Sequence, residues 1–226
     1  MSPDNYREKT KNNNDKNLTS HISHLKSFFK TSQIKNKMKT YFLPALKLTV
    51  ILLVLLSGLY PLVIAGIGKF TPGHGDGVTV EYKGHVVGYA NIGQKFTKDQ
   101  YFWSRPSAAN YQADAGAGSN KGPTNPDYLN KDVKGRIDTF LKHNPDVKRG
   151  DIPAELVTAS GSGLDPDLSP AGAEVQVARI AKVRNIPAAQ VEKIIADNTE
   201  GPVLGLFGPS KVNVLKMNVA LDELKK

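Results

Sequence analysis

One short stretch of the chain combines serines and glycines in a pattern that can bind an anion. It begins at Thr158 and reads TASGSGLDP. Backbone amides of such a loop can surround a phosphate, and a helix that begins soon afterwards adds the positive end of its dipole. The stretch predicts either an anion-binding loop or a tight structural turn. Its four candidate residues are Ser160, Gly161, Ser162 and Gly163.

The same stretch does not have the pattern of a serine hydrolase. That class of enzyme places glycines two residues before and two residues after its nucleophile. Ser160 has Thr158 and Ser162 at those positions, and Ser162 has Ser160 and Leu164. An anchored hydrolase is therefore the weakest of the functions considered for this chain.

The other side chains that carry chemistry are too scattered to define a catalytic centre. His74, His85 and His143 lack the spacing of metal ligands. Asp165 and Asp167 have no nucleophile beside them. The chain contains no cysteine, which excludes disulfides, cysteine-ligated zinc and a cysteine nucleophile. We predict no catalytic residue and no metal.

The element that positions the rest of the chain is an apolar run from Leu48 to Ile67. About 20 uncharged residues, at about 1.5 Å each, match a hydrocarbon core of about 30 Å. A cleaved signal peptide is the competing interpretation, but its apolar region is usually about 7–15 residues long. We predict one transmembrane helix, with its flanks, over residues 38–70.

Charge is distributed unevenly around this span. The chain has a formal net charge of +9, and about +7 of it precedes Leu48. A nucleic-acid surface would carry its positive charge on a folded face, so we predict no nucleic-acid partner. An excess of Lys and Arg beside a membrane helix instead marks the cytoplasmic side. We predict a cytoplasmic N-terminus and an extracytoplasmic domain after the span.

The segments on either side of the span differ in composition. Residues 1–37 are polar and rich in Asn and Lys, which predicts a disordered basic tail. Met38 is an alternative start of the protein. Residues 71–226 are numerous enough to form one soluble domain with its own hydrophobic core.

Local patterns predict an α+β fold for that domain. Two extended runs around a Lys83-Gly84 turn predict a β-hairpin, and residues 92–96 predict a third extended segment. Caps and helix-starting prolines predict three helices, and residues 212–215 predict a strand. Separate strands and helices are typical of α+β domains. The predicted helix starts are Asn125-Pro126, Ser169-Pro170 and Pro187.

An aromatic segment near residue 100 is the candidate surface for a partner. It holds the single tryptophan of the chain, and Trp, Tyr and Arg are favoured at protein interfaces. Aromatic side chains that hold a long loop to the core would give the same pattern, and a carbohydrate platform is a third interpretation. The predicted partner contacts are Tyr101, Phe102, Trp103, Arg105, Tyr111, Ser119 and Asn120.

Taken together, these stretches resemble the C subunit of the Kdp-type potassium-transporting ATPase. The resemblance extends from Met38 to Asp222. The motifs that carry it are YFLPALKLT before the span, YFWSRPSA from Tyr101, GSNKGPTNP from Gly118, LVTASGSGLDP from Leu156 and VNVL from Val212.

The resemblance implies a non-catalytic accessory subunit of a bacterial pump in the inner membrane. Its partners would be a channel-like potassium-translocating subunit, a P-type ATPase subunit, a small single-span subunit and membrane lipid. The family is described as a catalytic chaperone that raises the ATP affinity of the ATPase subunit. That role implies ATP held through the partner subunit, with contacts from Ser160 to Gly163.

The charge argument conflicts with such contacts, because an extracytoplasmic domain cannot reach cytoplasmic ATP. It favours a subunit that assembles and stabilises the pump near its ion entrance. The alternative from a different class is a membrane-anchored extracytoplasmic protein that binds a sugar or an anion through the loop around Trp103.

Overall fold

The apolar run forms one continuous helical segment. The computed structural model describes residues 31–114 and 116–224, with side chains from Thr40 onward. Helix α1 (Thr31–Leu53) leads through a π-helical turn (Val54–Leu59) into helix α2 (Tyr60–Gly68). Within the described residues, Thr40–Gly68 is the one helix long and apolar enough to cross a membrane.

The π-helical turn has a local cause in the sequence. Pro61 has no backbone N–H and its ring obstructs the carbonyl four residues earlier. A π turn, in which bonds span five residues, absorbs this mismatch without ending the helix. Tyr60 accordingly donates its N–H to the carbonyl of Leu55. Helix α1 also includes residues 31–37, which the sequence assigned to the tail; the rest of that predicted tail lies outside the described residues.

The chain divides into two compact units at Gly68 and Lys69, and the second begins with the predicted β-hairpin. Strands β1 (Thr79–Tyr82) and β2 (His85–Tyr89) pair antiparallel. Lys83 and Gly84 both have positive φ, 51° and 78°, as a type I′ turn requires. The hairpin is confirmed.

The prediction of a third extended segment at residues 92–96 is wrong. These residues form no strand, because their backbone groups bond to loops. Gly93 donates its N–H to Leu164 O at 2.7 Å, and Gln94 O accepts from Ser104 Oγ at 2.7 Å. The segment therefore joins two other loops of the second unit, those around Leu164 and Ser104.

The three predicted helix starts are confirmed, and one of the helices is interrupted. Asn125 and Ser169 accept capping bonds from the backbone N–H groups of Tyr128 and Gly172. The helix that starts at Pro170 is broken near Gln176 into two parts. The helices are α3 (Lys134–His143, after a π-helical turn Tyr128–Val133), α4 (Pro170–Glu174), α5 (Val177–Arg184), α6 (Ala188–Asp197) and α7 (Val214–Glu223).

A small antiparallel sheet supports these helices. Its strand order is β3 (Asp167–Leu168), β5 (Lys211–Asn213) and β4 (Thr199–Glu200). The predicted strand at 212–215 stops at Asn213, because the Asn213 side chain caps α7 by accepting from Lys216 N. Apolar side chains from α3 and α5–α7 form the core with the sheet and with Phe102. A mixed helix and sheet domain is therefore confirmed.

Candidate functional site

The aromatic segment is held in place by two side-chain amides, those of Asn218 on α7 and of Gln176 at the break between α4 and α5. Phe102 N–H donates to Asn218 Oδ1 at 2.8 Å, and Asn218 Nδ2 donates back to Phe102 O at 3.1 Å. Gln176 makes the same reciprocal pair with Trp103, at 2.8 and 3.3 Å. Each amide thus replaces the neighbouring strand that an extended segment would otherwise need, since buried backbone groups require partners.

A buried arginine fixes the same segment from a third direction. Arg179, on α5, is 5% exposed, and its guanidinium stacks on Trp103 at 4.6 Å. Burial lowers the pKa of Arg179 to about 10, which the charge of Asp99 partly opposes. The guanidinium donates to the backbone O of Asp99 (2.6 Å) and Tyr101 (3.0 Å), to Asn144 Oδ1 (3.0 Å) and to Gln176 Oε1 (2.7 Å).

A second arginine holds the start of the segment. Arg184 donates to Gln100 O and to Asp222 Oδ1, each at 2.7 Å. Tyr101 donates its hydroxyl to the other oxygen of Asp222 at 2.8 Å and stacks under Arg184 at 5.1 Å. The ring of Tyr101 is therefore fixed by an ion pair that joins α5 to α7.

These polar anchors were missed by the sequence analysis. Gln176, Arg179 and Asn218 are 0%, 5% and 2% exposed. The sequence does contain a signal for two of them. Gln176 and Arg179 are three residues apart, on the apolar face of the helix predicted after Ser169. A buried polar residue must be hydrogen-bonded, so its place on an apolar face indicates a partner elsewhere in the chain.

A cleft of about 530 Å³ opens beside the aromatic segment. Trp103 forms part of its wall and meets Phe140 edge to face at 6.3 Å. Two cationic side chains lie at the cleft, Lys95 and Arg136, together with Asp132, which pairs with Lys121 at 2.6 Å. The remaining apolar wall consists of Phe96, Pro106, Tyr111 and Leu156.

Arg105 and Tyr111 form one rim of this part of the domain. Arg105 pairs with Asp165 at 2.8 Å, and its carbonyl accepts from the Tyr111 hydroxyl at 2.6 Å. Burial raises the pKa of Tyr111, with Arg136 acting in the opposite direction. Among the described residues, the buried Nε of Arg105 is the one buried side-chain polar atom without a hydrogen-bond partner.

The Ser/Gly stretch forms a loop that packs on this rim. Ser160 is 2% exposed and donates its N–H to Pro106 O at 3.0 Å, whereas Gly161 and Ser162 are exposed. Gly163 is buried with φ +71°, a conformation that favours glycine. The structure thus gives this loop a structural contact at Ser160 and leaves its tip accessible. Nucleotide contact stays a prediction.

The structure places the predicted partner contacts in different environments. Phe102 is completely buried in the core, while Tyr101, Trp103, Arg105 and Tyr111 are half-buried. Ser119 and Asn120 follow Gly118, which lies against Gly161, and Asn120 is exposed at φ +54°. Trp103 and Tyr111 are brought together at the cleft. Contact with a partner stays a prediction for this set.

The scattered ionisable residues take structural positions. Asp165 and Asp167 pair with Arg105 and Lys211, respectively, at 2.8 Å each. His143 lies 2.8 Å from Asp99. In the part of the chain that the structure describes, no group of three or more His, Asp or Glu residues is arranged to hold a metal ion.

The described residues thus comprise one candidate membrane helix and a mixed α+β domain that carries an aromatic cleft. The chain belongs to the KdpC family, described as the K+-transporting ATPase c chain, whose family model matches residues 42–223. It is therefore a subunit of a potassium-transporting ATPase, as the sequence motifs had indicated.

Curated relatives match this chain over nearly their whole length, and each is called a potassium-transporting ATPase KdpC subunit. The protein of Flavobacterium johnsoniae is 53% identical over 188 residues, which are 83% of this chain and 100% of the relative. The protein of Bacteroides thetaiotaomicron is 50% identical over 191 residues, with 83% and 100% covered. That of Bacillus cereus is 44% identical over 192 residues, with 84% and 99% covered.

Proposed function

We propose that this chain is a single-span accessory subunit whose domain lies outside the bacterial inner membrane and assembles the potassium pump. The observation that carries this proposal is the charge of about +7 before the apolar helix. Positive charge beside a span is retained on the cytoplasmic side. The domain from Lys69 onward then emerges on the other face, where potassium enters a pump that imports it.

The partners of this proposal are the other subunits of the same complex. They are a channel-like potassium-translocating subunit, a P-type ATPase subunit and a small single-span subunit, with lipid around the apolar helix. The buried anchors of residues 100–105 support a role in assembly, because a preorganised domain loses less conformational entropy when it docks. The exposed parts of the aromatic cleft are available for such contacts.

A second candidate function concerns ATP. The exposed tip of the Ser/Gly loop, Gly161 and Ser162, favours it. ATP would be held by the partner ATPase subunit, and this loop would add contacts that raise its affinity. That function requires a cytoplasmic domain, so it and the assembly role near the ion entrance predict opposite topologies.

The cleft favours a third candidate, a membrane-anchored binding protein for a sugar or an anion. Aromatic walls suit the apolar face of a sugar ring, and Lys95 and Arg136 suit an anion. Binding of such a ligand by the isolated chain, without other pump subunits, would distinguish this function from assembly.

Topology decides between the first two candidates. The native chain has no cysteine, so one introduced thiol reports its own location. Gln190 is exposed on α6 and is a suitable site. We expect Gln190→Cys to react with a membrane-impermeant maleimide in cells whose outer envelope has been made permeable, and Ser20→Cys, which precedes the span, to react only after lysis.

The chain should be expressed without the other subunits, so that no partner covers residue 190. Reaction at residue 20 together with protection at residue 190 would contradict the proposed orientation and indicate a cytoplasmic domain. The Ser160–Gly163 loop would then become the leading candidate for contact with ATP.

A further inference from the structure

A loop between β4 and β5 exposes an apolar cluster outside the candidate membrane helix. We call residues 203–207, VLGLF, the apolar knob. Soluble surfaces rarely leave neighbouring large apolar side chains open to water unless they bind something. The exposed fractions are 68% for Val203, 85% for Leu204, 81% for Leu206 and 65% for Phe207.

The knob has a defined backbone conformation. Val203 and Phe207 bond to each other in both directions, at 2.9 and 3.0 Å, and Gly205 N–H donates to Pro202 O at 2.9 Å. These bonds fix the loop without help from the hydrophobic core. The exposed side chains are therefore presented at set positions relative to one another.

Leu204 adopts a conformation that its residue type disfavours. Its φ is +56°, in the left-handed region where a residue with a branched side chain is uncommon. Asn and Gly adopt this region more readily. Because Leu204 is 85% exposed, packing within the domain does not compensate for this strain. Strained backbone of this kind is typical of binding surfaces.

The charges at the base of the knob do not favour an anionic lipid surface as its partner. No charged residue occurs from Gly201 to Ser210. Lys211 pairs with Asp167 at 2.8 Å and with Glu200 at 3.6 Å, and Lys216 pairs with Glu200 at 3.4 Å. The neighbouring lysines thus have acidic partners of their own, whereas loops that bind anionic lipid headgroups use unpaired lysines.

We propose that the apolar knob inserts into an uncharged apolar cavity on another subunit of the pump. A fixed, strained loop suits a cavity of matching shape more than a fluid bilayer, because preorganisation favours one specific geometry. This inference rests on the proposed assembly function and assigns to it a contact surface distinct from the aromatic cleft.

The sharpest test is Leu204→Asn. Asparagine tolerates the left-handed conformation, so the thermal stability of the variant should equal or exceed that of the wild type. Its affinity for the remaining pump subunits, titrated in detergent with the full chain, should fall about 10-fold or more, since one buried leucine contact is lost.

The matched control is Val86→Thr. Val86 is an exposed apolar residue, 57% open, on strand β2. We expect this variant to bind like the wild type. Equal affinities of Leu204→Asn and the wild type would overturn the knob proposal alone, whereas a wild-type chain that does not bind the pump subunits would refute the assembly function itself.

A fluorescent label on the knob distinguishes insertion into another protein from insertion into lipid. Leu206→Cys provides the only thiol of the chain for an environment-sensitive dye. We expect the emission of the dye to shift to the blue when pump subunits are added in detergent. A blue shift of equal size in lipid nanodiscs without those subunits would overturn the proposal in favour of membrane insertion.

Discussion

Replacing Arg179 with methionine is expected to lower the free energy of unfolding by about 3 kcal/mol. Methionine fills much of the same volume but donates no hydrogen bond. It therefore removes a donor from four oxygens, of which Gln176 Oε1 keeps its bond from the Trp103 N–H, and it removes the cation stacked on Trp103. The loss is large because the acceptors that lose their donor are buried or part-buried, and an unpaired buried group is destabilising by about 1–3 kcal/mol.

One effect opposes this loss. Burial disfavours the charge of Arg179 and lowers its pKa. Replacing the charged side chain with neutral methionine therefore removes the free-energy cost of desolvating that charge. The hydrogen bonds outweigh this gain, because one replacement leaves several acceptors unpaired. Urea unfolding of the full chain in detergent, followed by the fluorescence of the single tryptophan, Trp103, measures the difference.

The matched control for Arg179 is Lys182→Met. Lys182 is exposed on the same helix, α5, and its replacement should change the free energy of unfolding by less than about 0.5 kcal/mol. A loss below about 1 kcal/mol for Arg179→Met would contradict the claim that this side chain anchors residues 99–103.

Phe102→Ala is expected to have an effect of similar or greater size. Phe102 is completely buried in the core, and truncation of a buried phenylalanine lowers stability by about 3–5 kcal/mol through lost contacts and a cavity. The total stability of a domain is about 5–15 kcal/mol, so the variant should be only marginally folded. Denaturant unfolding measures this loss.

The same replacement at an exposed phenylalanine provides the comparison. Phe207 is 65% exposed in the apolar knob, and Phe207→Ala should change stability by less than about 0.5 kcal/mol. A loss for Phe102→Ala that is as small as the loss expected for Phe207→Ala would contradict a structural role of Phe102 in the core. If Phe102→Ala also weakens assembly, the loss of fold explains that result without a direct contact.

The local elements of the domain could be predicted from sequence because their signals are local. The Lys83-Gly84 turn, the caps at Asn125 and Ser169, and the helix start after Pro187 each depend on a few neighbouring residues. The prediction of an extended segment at residues 92–96 was wrong, because the backbone partners of these residues, Leu164 and Ser104, come from other parts of the chain. Backbone hydrogen bonds between loops that are distant in the sequence cannot be recognised from a short sequence pattern.

The candidate site was only partly visible in the sequence for the same reason. Its aromatic members could be listed, but whether each was an anchor or an exposed contact depended on Gln176, Arg179 and Asn218, more than 70 residues away in each case. The apolar knob was assigned no function from the sequence. Its exposure and the positive φ of Leu204 are properties of the folded chain.

We propose above all that this chain is required to assemble a working potassium pump. The most direct measurement compares the remaining pump subunits expressed with and without it, in cells that lack other potassium uptake. We expect that, without this chain, the subunits will not purify together and uptake at low external potassium will be lost, and that the wild-type chain will restore both. A complex that assembles and transports fully in its absence would contradict the proposed function.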